Sequence, residues 1–207
     1  MEEKVRFEAD GLSLEGRLGL PPGARAGVVL CHPHPLYGGN MRNSVIKSVA
    51  TALQSRGLAT LRFNFRGVGE SQGSYGEGEA EVRDVLGALK YLSSQLPASG
   101  PLGLCGFSFG GMVALRAIAQ GAEVEAFAGI APVVDPPDVL KGWAKPKLIL
   151  VGSRDDLVDP GHLAEIVQTM PDPKELRIVE GVDHYWFGSE SVAGQAVAEF
   201  FTTYLRG

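Results

Sequence analysis

Residues 101–111 read PLGLCGFSFGG, an apolar run that breaks around Ser108, with glycines two positions to either side at 106 and 110. The pattern is G-x-S-x-G. "PLGLCGF" before it has the character of a strand, and "GMVALRAIAQG" after it has that of a helix. A sharp strand-to-helix turn lifts a serine oxygen clear of a sheet, and only glycine at the flanking positions lets neighbouring backbone pass so close. The helix that follows turns its free N–H groups and positive dipole end towards the reacting oxygen. A serine N-cap beside packing glycines would give the same pentapeptide. The strand before and the helix after favour a nucleophile.

Outward from this turn, short apolar runs recur at a spacing that leaves room for helices. "AGVVLC" (26–31), "LATLRFNF" (58–65), "PLGLCGF" (101–107), "VEAFAGIA" (124–131), "KLILVG" (147–152) and "ELRIVE" (175–180) read as strands. Their continuous apolar character suits strands covered on both faces, as in a parallel sheet. Between them, "NSVIKSVATALQSRG" sets Val45, Ile46, Val49, Ala50 and Leu53 on one helical face. "EGEAEVRDVLGALKYLSSQL" does the same with Val82, Val85, Leu86, Leu89 and Leu92, opening on acids suited to a helix N-terminus. "GHLAEIVQTM" and "SVAGQAVAEFFTTYL" complete the helices. At the N-terminus, "KVRFEAD" and "LSLEGRLGL" alternate around Asp10-Gly11, a hairpin signal. The expectation is an α/β fold of one domain over 1–207: a mostly parallel sheet of about eight strands with an antiparallel N-terminal hairpin and helices on both faces. Ligands on such sheets sit outside the carboxyl ends of the strands.

A serine nucleophile needs a base, and the base needs an orienting acid. The chain has four histidines, His32, His34, His162 and His184. His184, in "EGVDHYWFG" just past the last expected strand, reaches the same sheet edge as Ser108, whereas His162 falls within an expected surface helix. "KLILVG" ends in "SRDDLVDP", which offers Asp155, Asp156 and Asp159. Serine, then acid, then histidine is the chain order of the serine hydrolases built on this architecture. His32 and His34, in "CHPHPLYGGN", are two ligands at most, with no H-E-x-x-H pattern or Cys/His cluster beside them, so no metal is expected.

Composition bounds the rest. The 207 residues are 44% hydrophobic and 21% charged, as in an ordinary globular chain, and the net charge of −5 is dispersed. That charge gives no electrostatic reason to expect nucleic acid or anionic membrane as a partner. The two cysteines, Cys31 and Cys105, fall in apolar strands and read as buried thiols rather than a disulfide. "MEEKVRFEAD" lacks the apolar core of a signal peptide, and no run reaches 18 apolar residues, so a cytoplasmic location is expected.

With these residues in place the chain resembles the α/β-hydrolase family from Gly27 to Phe187. "GFSFGG" matches the family's nucleophile elbow, "RFNFRGVGES" (62–71) is similar to the turn after its fourth strand, "VGSRDDLV" to its Gly-x-x-Asp acid turn, and "GVDHYWFG" to its histidine loop. "HPHPLYGG" with "RFNFRGVGES" is most similar to a small capless bacterial subgroup. The resemblance implies Ser108 as nucleophile, His184 as general acid–base and Asp155, three after Gly152, as orienter, with Asp156 the competitor. It implies no cofactor. Two departures stand out: His32-Pro33 where many relatives have His-Gly, and Asn64 where aspartate is frequent, which leaves that turn a structural role.

The oxyanion of an acyl transfer needs two backbone donors: the N–H of Phe109 and one from the loop after "AGVVLC". Proline has no N–H, so Pro33 and Pro35 leave His34 between them as the donor. Its imidazole is expected to be incidental or at the pocket rim, and Gly38 and Gly39 to let the loop turn back. Only "PVVDPPDVLKGWAKP" lies between two strands where many relatives insert a cap. About one short helix is expected there, leaving an open pocket bordered by Tyr37, Trp143, Trp186 and Phe187. The function expected is hydrolysis of small or short-acyl carboxylic esters through an acyl-enzyme. The alternatives are an aminopeptidase, thioesterase or acyltransferase using the same triad, or a non-catalytic binding protein of this fold. The expected partner is a small-molecule ester, with a homo-oligomer left open.

Overall fold

The computed structural model describes residues 2–97 and 100–205. Its eight strands are β1 (Glu2–Ala9), β2 (Leu12–Gly19), β3 (Gly27–Cys31), β4 (Ala59–Phe63), β5 (Leu102–Phe107), β6 (Ala126–Ile130), β7 (Lys147–Gly152) and β8 (Lys174–Val179). They form one sheet in the order β1-β2-β4-β3-β5-β6-β7-β8. β1 and β2 pair antiparallel about the Asp10-Gly11 turn, β2 pairs antiparallel with β4, and every other pair is parallel. The mostly parallel sheet with its antiparallel hairpin is the α/β-hydrolase arrangement the sequence led us to expect.

The strand order reverses beside β3. β4 lies on one side of β3 and β5 on the other, so a crevice opens at the carboxyl ends of β3 and β5. Cys31 at the end of β3 stands opposite Gly106 in β5. The loop after β3 and the serine turn after β5 therefore emerge side by side.

Each central strand is buried on both faces, which is why its sequence shows no polar alternation. Val29 and Cys31 of β3, Leu104 of β5 and Ile149 of β7 pack on the face covered by α2 (Glu81–Gln95), α3 (Phe109–Ala119) and α4 (Pro160–Thr169). Val28, Leu30, Cys105 and Leu148 point the other way, under α1 (Ser44–Ser55) and α5 (Glu190–Tyr204). Cys31 and Cys105 are thus buried free thiols on opposite faces, and burial pushes both thiols up. No helix among the described residues is long and apolar enough to cross a membrane.

Two expectations change. Residues 132–146 form successive turns instead of a short helix, closed by Val139 N–H to Pro136 C=O, Lys141 to Asp138 and Trp143 to Leu140. Gly142, left-handed at φ 89°, stops these turns from growing into a helix. The acids at the start of α2 do more than meet the helix dipole. Glu81 folds back to accept the N–H groups of Gly76 (2.7 Å) and Gly78 (2.9 Å), and buried Asp84 accepts from Arg66 Nη2 at 2.8 Å.

His32 ties the sheet edge together. Its Nε2 accepts the Phe65 N–H at 3.2 Å, so its own proton sits on Nδ1, 2.6 Å from the Pro33 carbonyl. Both ring nitrogens are thereby engaged, and burial lowers the imidazole from 6.5 to about 4. Between those values the unfolded chain binds a proton that the folded chain refuses, so stability falls as pH drops through this window. We expect the His32 contribution to shrink by roughly 2 kcal/mol between pH 7 and pH 5. Urea unfolding at both pH values checks this, with His32→Gln losing that part of the slope.

Candidate active site

Ser108 takes φ 52° and ψ −117°, a left-handed backbone that β-carbon-bearing residues rarely adopt. The strain is fixed from three sides. Ser108 N–H donates to the Ile130 carbonyl of β6 at 2.9 Å, and its own carbonyl accepts the N–H groups of Gly111 (2.9 Å) and Met112 (3.1 Å). A Cβ at Gly106 would overlap the Gly110 carbonyl, and one at Gly110 would overlap the carbonyls of Cys31 and His32. The glycines of G-x-S-x-G are therefore demanded by backbone packed on backbone.

The Ser108 hydroxyl oxygen lies 3.0 Å from His184 Nε2, and His184 Nδ1 lies 2.9 Å from Asp155 Oδ2. Asp155 Oδ1 also accepts the N–H groups of Leu157 (3.0 Å) and Val158 (2.8 Å), which fixes the carboxylate before the imidazole meets it. The acid turn and the histidine loop lock together. Arg154 N–H donates to the Val182 carbonyl at 3.0 Å, Gly181 N–H donates to Ser153 Oγ at 2.9 Å, and a Cβ at Gly152 would overlap the Val182 carbonyl. Of the other two acids, Asp156 is exposed and Asp159 caps α4 by accepting the His162 N–H at 2.6 Å. His162 is exposed, 3.8 Å from Glu165.

The loop after β3 makes a single 3-10 turn over Pro35–Tyr37, closed by Gly38 in a left-handed conformation at φ 82°. The adjacent Gly39 has no room for a Cβ against the Pro33 carbonyl. Among the described residues, no acceptor pairs with the backbone N–H of His34 or of Phe109. The imidazole of His34 stands in the cavity wall, where it is engaged on both ring nitrogens. Its Nδ1 accepts the Leu36 N–H at 3.2 Å, its Nε2 lies 3.1 Å from the Tyr75 hydroxyl, and its ring centroid lies 4.8 Å from that of Phe109. Burial lowers its basicity, with the charge of Glu81 pulling the other way.

A cavity of about 450 Å³ opens over Ser108 and His184, walled by His34, Tyr37, Tyr75, Phe109, Met112, Val133, Leu157, Tyr185 and Phe187. Two of the four aromatics expected at its border lie elsewhere. Trp186 takes φ 59° and is fully buried in the core under α5. Trp143 packs on the opposite core with the Lys147 ammonium 5.2 Å from its ring centroid. Tyr75, Phe107 and Tyr185 line the cavity without having been expected there, as does the ring of Phe109, expected only for its N–H. Alternation along "HYWFG" offered a signal for Tyr185, on the same side as Phe187, but the glycine-rich loop around Tyr75 carries no period at all.

The match to known proteins agrees with this architecture. Residues 22–145 match the serine aminopeptidase (S33) family. The chain is an α/β hydrolase of this family. The matched span carries the Ser108 elbow and ends before Asp155 and His184. An α/β serine hydrolase homologue from Coxiella burnetii is 31% identical with TM-score 0.87, covering 95% of this chain and 96% of its own. A lidless α/β serine hydrolase from Xanthomonas campestris is 28% identical with TM-score 0.89, covering 100% and 96%. The dienelactone hydrolase of Anabaena variabilis is 25% identical with TM-score 0.85, covering 100% and 99%.

Asn64 in this S33-family chain has a structural task that aspartate could not perform. Its Oδ1 accepts the Met41 N–H at 2.7 Å, while its Nδ2 donates to Glu15 Oε1 at 2.6 Å. Aspartate would keep the first bond and set two carboxylates against each other. Asn64→Asp should cost about 2 kcal/mol or more by chemical denaturation at pH 7, and Glu15→Gln in the same chain should return part of it.

Proposed function

We propose that this protein hydrolyses carboxylic esters with small or short acyl groups through an acyl-enzyme on Ser108. The observation that carries the proposal is the unbroken line of Ser108, His184 and Asp155 at the floor of an open cavity. Nδ1–H of His184 donates to Asp155, which leaves the Nε2 lone pair towards the Ser108 hydroxyl. As Oγ bonds to the ester carbonyl carbon, its proton passes to Nε2, and Asp155 steadies the imidazolium. The carbonyl oxygen, now negative, is held by the N–H groups of Phe109 and His34. The carbon–oxygen bond to the alcohol then breaks, and Nε2 returns the proton to the departing oxygen. Water repeats the sequence in reverse roles, releasing the acid and restoring Ser108.

The family description names aminopeptidases, and such an enzyme needs an anion for the α-ammonium of its substrate. Among the described residues no Asp or Glu lines the cavity, which supports ester over peptide. The lidless and dienelactone-hydrolase neighbours support the same hydrolase class.

A fluorophosphonate should label Ser108, mapped by peptide mass spectrometry, and Ser108→Ala should abolish cleavage of p-nitrophenyl acetate. Asp155→Asn should cut kcat by about 10³–10⁴, the scale for losing the tautomer-fixing acid, and Asp156→Asn far less. Equal losses would make Asp156 the orienter.

The donor pair has its own test in steady-state kinetics. His34→Pro deletes one N–H and should lower kcat by about 10²–10³. His34→Asn keeps that N–H, and its side-chain oxygen can still accept from Leu36, so its loss should be much smaller. A chain in which both variants fail alike would remove the amide from the mechanism.

A further inference from the structure

The segment after His184 carries two local costs. Trp186 sits at φ 59°, uncommon for a bulky residue, and its buried indole N–H has no hydrogen-bond partner among the described residues. Their joint effect is to drive one large ring into the core while the chain on either side turns outward. Asp183 Oδ1 holds the turn by accepting the N–H groups of Tyr185 (2.9 Å) and Trp186 (3.1 Å). Tyr185 and Phe187 are left 55% and 76% exposed, their rings nearly parallel at 19° with centroids 6.0 Å apart. Both line the cavity, and the Tyr185 ring lies 5.8 Å from that of His184.

We propose that Tyr185 and Phe187 form a platform for a flat aromatic group on the alcohol side of a neutral ester. The proposal rests on the ester-hydrolase reading above. In that reading Nε2 of His184 hands its proton to the leaving oxygen, which must come within about 3 Å of it. The substituent on that oxygen then lies over the rings beside His184, and the His34, Tyr75 and Phe109 wall is left for the acyl substituent. The substrate is neutral because no Lys, Arg, Asp or Glu among the described residues lines the cavity, so a charge carried in would find no counter-ion there. Tyr185 and Phe187 are specificity-determining residues. Their contribution is the offset stacking of rings together with the apolar area they hide from water.

Benzyl acetate and methyl phenylacetate are isomers that carry the same ring on the alcohol or the acyl side. The wild-type kcat/KM should favour benzyl acetate by about tenfold or more. Phe187→Ala and Tyr185→Leu, both at exposed positions that leave the core intact, should each bring the ratio towards one by about three- to tenfold. A ratio near one, a ratio favouring methyl phenylacetate, or a ratio unmoved by either variant would overturn the platform. Any of these, in an enzyme whose Ser108 is labelled by fluorophosphonate and which cleaves p-nitrophenyl acetate, leaves the ester reading intact. Absence of both labelling and cleavage overturns the ester reading and the platform with it.

Discussion

Where α3 begins, the backbone at Gly110 is packed against the carbonyls of Cys31 and His32, with no space for a single methyl group. Much at the sheet edge follows from that contact. It brings the ends of β3 and β5 together, so the loop bearing His34 and the turn bearing Ser108 share one wall. It also fixes where α3 starts, and with it the direction of the Phe109 N–H. Ser108 keeps its left-handed backbone because the bond to Ile130 and the bonds onto its carbonyl leave it no alternative.

A second set of constraints is polar and buried. His32 links the exits of β3 and β4, Asp84 accepts both the backbone N–H of Arg66 (2.9 Å) and its guanidinium, and Glu81 gathers the amides of the Tyr75 loop. Burial pushes the Asp84 carboxyl up while its bonds to Arg66 pull it back. Each of these groups would be costly if left unpaired, so each specifies one loop path and penalises the others. Loops with little apolar content gain a defined shape in this way. The cavity wall opposite His184 is made of such loops.

How much of this was legible in the sequence depends on the kind of signal. The central strands were legible because burial on both faces leaves continuous apolar runs such as "GVVLC" and "KLILVG", and the amphipathic helices because their buried residues recur every three to four positions. The positions of Ser108, Asp155 and His184 after strands put them at one sheet edge, and the structure sets His184 within hydrogen-bond distance of both Ser108 and Asp155. The choice between Asp155 and Asp156 could not be made from spacing alone, because it turns on which carboxylate meets the amides of Leu157 and Val158. Trp143 and Trp186 were misplaced for a related reason. A large aromatic beside a site serves equally well as wall or as core, and only packing distinguishes the two. Residues 132–146 lack a helix because Gly142, at φ 89°, turns the chain left-handed after little more than one turn.

Among the described residues those same turns contribute only Val133 to the cavity over Ser108, and this bears on the fate of any acyl group carried there. Enzymes that close before reacting often spend their turnover waiting to open, whereas an uncovered cavity imposes no such gate on entry or release. Nor does it keep solvent away. Transfer of an acyl group to a second alcohol requires that competing water be held off, and a lidless mouth lets water arrive first. In the acyl-enzyme proposed above, the short connection between β6 and β7 would act on partitioning, tilting the acyl group towards hydrolysis and away from exchange.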